Sequence, residues 1–241
     1  MEGYLDEKEM EELIAAKGLP KSFGQPRFNP LEMMIFRKIQ LQNFFLSRWM
    51  RLRYRDRVIF GKDCRIDPST FILRGTGVVE FGEGVIIERG IHKVFFNLEP
   101  MSKVTIGANT WLQTFTDDIL FSCKSGAEIV IGKNSWFSGC QFAATRKIIM
   151  GEHTMIGNGC MIIDSEFHQM ENDAPIPCAP VTIGSHVFMP SFVSVLKGVT
   201  IGDHCMFGTG SLVTEDIPDH SLAAGRPAKV IRKIGDRDKA W

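Results

Sequence analysis

The chain has 241 residues, with 28 Lys+Arg balanced by 28 Asp+Glu, and 44% of its residues are hydrophobic. A net charge of zero argues against a nucleic-acid-binding protein, because phosphate contacts need a surplus of lysine and arginine. No apolar run approaches the roughly eighteen residues that span a bilayer, and the acidic start MEGYLDEKEM is not typical of a secretory signal peptide. The six cysteines include no C-x-x-C pair. A reducing compartment fits this cysteine usage, and we expect a cytoplasmic location.

The balanced total conceals a segregation of charge along the chain. Residues 1–12 have a net charge of −5, residues 13–57 of +8, residues 58–224 of −7 and residues 225–241 of +4. These boundaries coincide with changes in sequence texture. They predict an N-terminal helical segment over 1–57, a main domain over 58–224 and a basic C-terminal tail over 225–241.

The N-terminal segment is predicted to contain an acidic helix over 4–17 and, after the break FGQPRFNP (23–30), a helical stretch over 31–57 that ends in a run of arginines. Two interpretations remain open. One is a cap that covers the strand edges at the start of the main domain. The other is an amphipathic element, through residues 31–57, that lies peripherally on the inner face of an anionic membrane.

A six-residue repeat fills most of the main domain. Its clearest stretch has apolar residues at Ile183, Met189, Val195, Ile201, Phe207 and Val213. The residue four places after each of them is small or β-branched. Upstream fragments show the same repeat, as in IGANTW (106–111) and IGKNSW (131–136). Residues 58–105 look like degenerate copies of it. A period of six fits neither a helix nor a free strand, but it fits short strands joined by tight turns, three to a coil of eighteen residues.

The repeat therefore predicts an all-β domain of stacked coils. The apolar residues would fill the interior, and Cys160 and Cys205 occupy a second, narrower inward position that predicts small core residues. Three histidines, His153, His186 and His204, share the third position after the interior residue, which predicts solvated turn residues. Because no two histidines lie closer than fifteen residues, we expect no metal site.

The passage from Ile131 to Ile234 resembles the hexapeptide-repeat acyltransferases. Its part PVTIGSHVFMPSFVSVLKGVTIGDHCMFGTGSLVTEDIPDHSLAAGRPAKVIR (180–232) is similar to their sugar O-acetyltransferase branch, which includes galactoside and maltose acetyltransferases. The resemblance implies a left-handed parallel β-helix, acetyl-CoA as donor, a homotrimer and active sites in the clefts between neighbouring subunits. It also implies an acceptor that is a sugar, a sugar nucleotide or a glycan.

The repeat is interrupted after Ile162. His168 stands where the next apolar residue is due, and QMENDAPIPCAP (169–180), with three prolines, is typical of a loop that leaves the helix. The segment from Asp164 to His168 resembles the active-site segment of polysaccharide-modifying members of the family. By that resemblance His168 is the general base that deprotonates the acceptor, and Asp164 orients its imidazole. The alternative for His168 is a histidine at the edge of the core with a bonded partner.

The donor site is predicted in the C-terminal third of the chain. Coenzyme A carries phosphates at one end and a thioester at the other, so cations and backbone N–H groups are needed. The resemblance places Lys229 and Arg232 near the phosphates of coenzyme A, and Thr209 and Thr214 along its pantetheine arm. It places Ser191 beside the thioester, where its backbone N–H binds the oxyanion. The galactoside branch has a lysine after the second threonine, whereas this chain has Glu215.

Together these features predict an acetyl-CoA-dependent O-acetyltransferase that acts on a sugar hydroxyl in surface polysaccharide or lipopolysaccharide biosynthesis. The hydroxyl would attack the thioester directly. Two alternatives stay open: an N-acetyltransferase of an amino-sugar nucleotide, because the same base can serve an amine, and a non-catalytic β-helix scaffold.

Overall fold

The fold was analysed in a computed structural model, which describes residues 48–50, 52–54 and 56–239. Residues 48–50 and 52–53 are helical. The predicted acidic helix and residues 31–47 of the second predicted helical stretch lie outside the described residues. Within the described ranges, no helix has the length and hydrophobicity that crossing a membrane requires.

From residue 58 onward the chain forms twenty-three short strands, numbered β1–β23 in chain order, that belong to three sheets. Sheet 1 contains β1 (Val58–Phe60), β4 (Val78–Phe81), β7 (Lys103–Ile106), β10 (Glu128–Ile131), β13 (Lys147–Met150), β16 (Val181–Ile183) and β19 (Thr200–Ile201). Sheet 2 contains β2 (Arg65–Ile66), β5 (Ile86–Ile87), β8 (Trp111–Gln113), β11 (Trp136–Ser138), β14 (Met155–Ile156), β17 (Phe188–Met189), β20 (Met206–Phe207), β22 (Ser221–Gly225) and β23 (Ala228–Lys233). Sheet 3 contains β3 (Phe71–Gly75), β6 (Val94–Leu98), β9 (Ile119–Cys123), β12 (Gln141–Ala144), β15 (Met161–Ile163), β18 (Ser194–Val195) and β21 (Leu212–Val213).

Each coil of the chain visits sheets 1, 2 and 3 in turn, and neighbouring coils pair in parallel except for β23, which is antiparallel to β22. We call the turns between sheets corner 1–2, corner 2–3 and corner 3–1. The predicted left-handed parallel β-helix is confirmed as the fold class. The predicted coil of eighteen residues is also confirmed, because Ile183 pairs with Ile201 and Val195 with Val213.

The inward positions form a continuous core. All six apolar residues of the repeat from Ile183 to Val213 are at most 1% exposed, and Cys160 and Cys205 are buried as predicted. Burial raises the pKa of the Cys160 thiol to about 11, which suits a small core residue rather than a reactive one. Aromatic residues fill the N-terminal half, where Phe96, Phe121 and Phe142 stack with ring centroids 5.0 Å apart in three successive coils.

The degenerate coils of residues 58–105 follow the same register. Phe60 pairs with Phe81, and Phe81 pairs with Ile106, although longer corners separate these residues along the chain. Gly61 and Gly82 each lie so close to the backbone of the next coil that an added Cβ would stand 2.4 and 2.5 Å from it. The glycine after the interior residue is therefore required by close approach between coils.

Corner 1–2 carries a column of residues in the left-handed conformation. Six successive coils contribute Asn109, Asn134, His153, His186, His204 and His220, each with a φ between 55° and 58°. The four imidazoles stack face to face, with centroids 4.7–4.8 Å apart and planes within 8° of parallel. Asn134 continues the column by a 3.1 Å hydrogen bond to His153.

The prediction that these histidines are solvated is wrong for the middle of the column. Residues 234–238, which follow β23, run along corner 1–2 and leave the side chains of His186 and His204 only 16% exposed. The Arg237 N–H donates to Nδ1 of His204 at 2.9 Å, and the Asp238 carboxylate lies 3.5 Å from Nε2 of His186. A separation of eighteen residues thus places two histidines side by side, because it equals one coil.

This cluster of His186, His204 and Asp238 has three potential metal ligands within 4.8 Å of one another. Nδ1 of His204 accepts a hydrogen bond, so in the neutral ring the proton is on Nε2. The Nε2–H group faces the Asp238 carboxylate as a donor, and it has no free lone pair for a metal ion. The lone pairs of imidazole nitrogens lie in the ring plane, so two parallel stacked rings do not converge on one ion. The arrangement suits attachment of the C-terminal segment better than metal binding.

The buried column predicts acid lability of the fold. Desolvation, followed by the charges of His153 and His204, holds the pKa of His186 below its ordinary value, against the opposing effects of Asp238 and Glu152. The unfolded chain binds a proton at this histidine near its ordinary pKa of about 6.5, before the folded protein does. Stability is therefore lost as the pH falls through that value.

We expect His186→Asn to reduce this loss, because asparagine tolerates a positive φ and already occupies the column at Asn109 and Asn134. The measurement is the thermal midpoint at pH 7.5 and 5.5, with His92→Asn, outside the column, as the control. An equal drop in His186→Asn and in the unaltered protein would contradict the prediction.

Candidate active site

The loop over residues 164–180 leaves the β-helix at corner 3–1, directly after β15. Its root is a short antiparallel ribbon, in which Ser165 bridges Cys178, Glu166 N–H donates to the Pro177 carbonyl at 3.0 Å and Ala179 N–H donates to the Asp164 carbonyl at 2.9 Å. This ribbon holds both ends of the loop close together. The next coil can therefore resume in register with the one before.

His168 is exposed beside this ribbon. Its neighbour Glu166 pairs with the ammonium group of Lys197, which lies at corner 3–1 of the following coil. The hydrogen bond and charge of Lys197, with a smaller contribution from His168, hold the pKa of Glu166 below its ordinary value. Glu166 is therefore ionised near neutral pH and is the carboxylate that interacts electrostatically with His168.

The structure gives Asp164 hydrogen-bond partners other than His168. Its side chain is fully buried, and its two carboxylate oxygens accept 2.7 Å hydrogen bonds from the backbone N–H groups of Thr145, Arg146 and Lys147. No hydrogen bond joins it to His168 in the described structure. Side chains alternate along β15, so Asp164 points inward as Ile162 does. Its hydrogen bonds stabilise the turn that precedes β13.

Corner 2–3 of the C-terminal coils brings together a second group of predicted residues. Ser191 and Thr209 occupy equivalent positions in adjacent coils, and the Ser191 carbonyl accepts the Gly210 N–H at 3.0 Å. Arg226 reaches the same corner and donates to the Gly210 carbonyl at 3.3 Å. A Cβ at Gly210 would meet no atom within 4 Å, so the surface beside Thr209 is open.

The other predicted donor residues are placed differently. Lys229 is held by Glu215, whose two carboxylate oxygens each lie 2.7 Å from the ammonium group. Thr214 is exposed at the far edge of sheet 3 from Ser191 and Thr209. Arg232 pairs with Leu222 in the β22–β23 hairpin, three residues beyond Lys229 and away from corner 2–3. The structure therefore groups Ser191, Thr209 and Arg226, and leaves Arg232 and Thr214 apart from them.

The two halves of the predicted site lie on opposite edges of sheet 3. Ser191 precedes β18 at corner 2–3, whereas Lys197, which pairs with Glu166 next to His168, follows β18 at corner 3–1. Ser191 and Lys197 are six positions apart along the chain and flank β18, a separation on the order of 15–20 Å. The imidazole of His168 and the backbone N–H of Ser191 therefore lie at different edges of this sheet.

Of the residues at these edges, Lys197 was not found from the sequence, whereas Arg226 was part of the run 225–229 that was expected to supply positive charge for coenzyme A. Lys197 carries no motif that marks it, because its partner Glu166 is thirty-one residues away and reaches it only through the loop. Arg226 belongs to the basic tail, but its position follows from the reversal of the chain at the β22–β23 hairpin. By contrast, the sequence places Thr209 next to Ser191, because the two residues are one coil of eighteen residues apart.

Sequence comparison adds independent information. The chain is 34% identical over 140 residues to galactoside O-acetyltransferase of Escherichia coli strain K12, an alignment that covers 57% of this chain and 67% of that relative. It is 50% identical over 68 residues to a Staphylococcus aureus strain MRSA252 protein assigned by name to the acetyltransferases, covering 28% of this chain and 34% of that relative. The chain thus spans about a third of that second relative. No family model matches the chain.

Among solved structures, the polysialic acid-specific acetyltransferase NeuO superposes with a TM-score of 0.53 at 21% identity, covering 73% of this chain and 81% of that one. At this identity the similarity concerns the fold alone. It agrees with the stacked coils described above.

Asp164 is expected to matter for stability rather than for the orientation of His168. Asp164→Ala would remove the acceptor of three backbone N–H groups, and a hydrogen bond to a charged group contributes about 1.5–3 kcal/mol. We expect its free energy of unfolding in urea to fall by at least about 3 kcal/mol, while Glu171→Ala, an exposed change in the loop, leaves it unchanged. A stable Asp164→Ala protein that had lost activity would instead support the orienting role.

Proposed function

Because the chain belongs to the hexapeptide-repeat acetyltransferase family, we propose that it transfers an acetyl group from acetyl-CoA to a sugar hydroxyl, in the assembly of a surface polysaccharide or lipopolysaccharide. The observation that carries the proposal is the position of His168. Its exposed imidazole stands at the root of a loop on a rigid scaffold, next to an ionised carboxylate. A histidine imidazole is a suitable base near neutral pH.

In the proposed reaction, His168 removes the hydroxyl proton as the acceptor oxygen attacks the thioester carbonyl carbon. The carbonyl oxygen becomes an oxyanion, which the Ser191 backbone N–H stabilises. The carbon–sulfur bond then breaks, and the leaving thiolate of coenzyme A takes the proton back from His168. Glu166 stabilises the transient imidazolium, and Asp164 acts indirectly by holding the backbone at the base of the loop.

The donor is proposed to bind along corner 2–3 of the C-terminal coils. The pantetheine arm would pass Thr209, where the surface beside Gly210 is open, and Arg226 and Lys229 would supply positive charge for the phosphates. Lys229 must first leave Glu215, a surface ion pair of low energetic value. Arg232 and Thr214 fit less well, since they lie away from this corner.

A homotrimer would unite the two halves of the site. Because His168 and Ser191 lie at opposite edges of sheet 3, one reaction centre that uses both requires His168 from one subunit and Ser191 from its neighbour. Cyclic packing of three β-helices repeats this contact three times. This arrangement supports the expected clefts between subunits as the place of catalysis.

The activity is tested by mass spectrometry after acetyl-CoA is offered with sugars, sugar nucleotides and lipid-linked glycans. An acetyl product that is labile to alkali indicates an ester and supports the proposal. A product that is stable to alkali indicates an amide and would assign N-acetylation instead.

His168→Ala should lower kcat at least about a hundredfold, the usual effect of removing a general base. Because the side chain is exposed, the thermal midpoint should not change. His92→Ala serves as the control, since His92 belongs to neither half of the site. Retained turnover in His168→Ala would refute its assignment as the base.

Mixed oligomers test whether the site is shared between subunits. Ser191→Pro removes the backbone N–H with little strain, because Phe192 has a φ of 63° and proline suits the position before it in such a turn. His168→Ala and Ser191→Pro should each be inactive alone. After unfolding and refolding as an equal mixture, each mixed trimer regains one intact site, so we expect roughly a quarter of the normal activity. No recovery would mean that one subunit supplies both groups.

A further inference from the structure

A groove of about 450 Å³ lies on the outer face of sheet 3, between the loop root and the first coils. It runs along one row of outward residues, in which Arg74 pairs with Asn97, Asn97 with Ser122 and Ser122 with Ala143. The row spans about 14 Å, because neighbouring strands lie about 4.8 Å apart. Phe167, next to His168, forms the end of the groove nearest the proposed base.

The groove therefore leads along the outer face of sheet 3 to the residue next to the proposed base. The donor residues Ser191 and Thr209 belong to the C-terminal coils, whereas the groove belongs to the coils before β15. A molecule in the groove would present its end to His168 and would leave Ser191 and Thr209 of the same subunit uncovered. The acceptor of a direct transfer has to lie within reach of the base.

The polar groups of the groove are arranged for a polyhydroxylated ligand. Asn97 lines the groove and offers a side-chain amide to ligand hydroxyls. Ser122 offers a hydroxyl in the next coil, and the small side chain of Ala143 keeps the row open towards the base. Leu120 and Phe167 supply apolar walls on which sugar rings can pack.

The charged residues of the groove favour an anionic ligand. Lys124 is neutralised by Glu99, whose carboxylate lies 2.8 Å from the ammonium group. Arg74 is exposed, forms no ion pair with the described residues and lies over the ring of Phe95, with its guanidinium carbon 5.4 Å from the centroid. Among the described residues that line the groove, Arg74 is thus the cation without an ion-pair partner, and its planar guanidinium group suits a carboxylate or a phosphate.

We infer that this groove is the acceptor subsite and that it takes an acidic saccharide, with sugar hydroxyls at Asn97 and Ser122 and an anionic group at Arg74. The inference rests on the proposed acetyl transfer and specifies its substrate class. Arg74 is a specificity-determining residue in this arrangement, because it contacts the acceptor away from the hydroxyl that reacts.

The test compares acceptors that differ only in charge. Trigalacturonate is offered beside its carboxyl-reduced neutral trisaccharide, and galactose 1-phosphate beside methyl galactoside, all at saturating acetyl-CoA. We expect kcat/KM for at least one acidic probe to exceed that of its neutral partner by about tenfold to a hundredfold, mainly through KM. The two pairs distinguish a carboxylate from a phosphate as the recognised group.

Two variants of groove residues and one control variant test whether the preference for acidic acceptors comes from the groove. Arg74→Gln should abolish the preference for the acidic probe, while Lys103→Gln, an equal change of charge on sheet 1, should preserve it. Ala143→Leu should raise KM for acidic and neutral saccharides alike and leave the Kd for coenzyme A unchanged. Equal use of acidic and neutral probes, with no effect of Arg74→Gln, would overturn the inference and leave the acetyltransferase proposal standing.

Direct binding separates this inference from the proposed function. Isothermal titration calorimetry with trigalacturonate and galactose 1-phosphate should show binding of one of them that Arg74→Gln weakens at least tenfold. Binding of this kind without turnover of any saccharide would support the groove and refute the acetyl transfer. The absence of both binding and turnover would refute both.

Discussion

The structure depends on one constraint, the in-register pairing of each short strand with its equivalents in the coils before and after. Because the three sheets pair in parallel, a residue at a given place in one coil lies about 4.8 Å from its equivalent in the next. Side chains therefore form columns. The phenylalanine stack of Phe96, Phe121 and Phe142, the histidine column and the contact of Ser191 with Gly210 are three results of the same repeat.

The same constraint explains where irregularity is tolerated. A strand cannot gain a residue without turning its inward side chains outward, so extra residues are accommodated at corners. The longest of these insertions is loop 164–180, and its antiparallel root keeps β15 and β18 paired despite the excursion. The buried Asp164 carboxylate satisfies three backbone N–H groups at this point. The exposed His168 is thus carried by a loop whose base is rigid, which is a suitable support for a catalytic group.

The division of charge along the chain also has a structural counterpart. The basic tail after residue 224 returns along sheet 2 as β23, brings Arg226 to the donor corner and ends with residues 234–238 against the histidine column. Its cations are therefore distributed over two corners. Glu215, which replaces the lysine expected from the galactoside branch, neutralises Lys229. Arg226 is thereby the cation of this tail that reaches the corner beside Thr209.

The sequence by itself determined the β-helix, its eighteen-residue coil, the inward residues and the exposed loop that carries His168, because a local period of six is sufficient to specify which side chains are buried. It did not determine the partner of Asp164, the burial of His186 and His204 or the pairing of Glu166 with Lys197. Those contacts join residues from different coils or from the returning C-terminal segment, and their distances depend on how the corners and the loop fold back. The separation of His168 from Ser191 is likewise a property of the tertiary structure, since the width of sheet 3, and not their spacing along the chain, keeps the two groups apart.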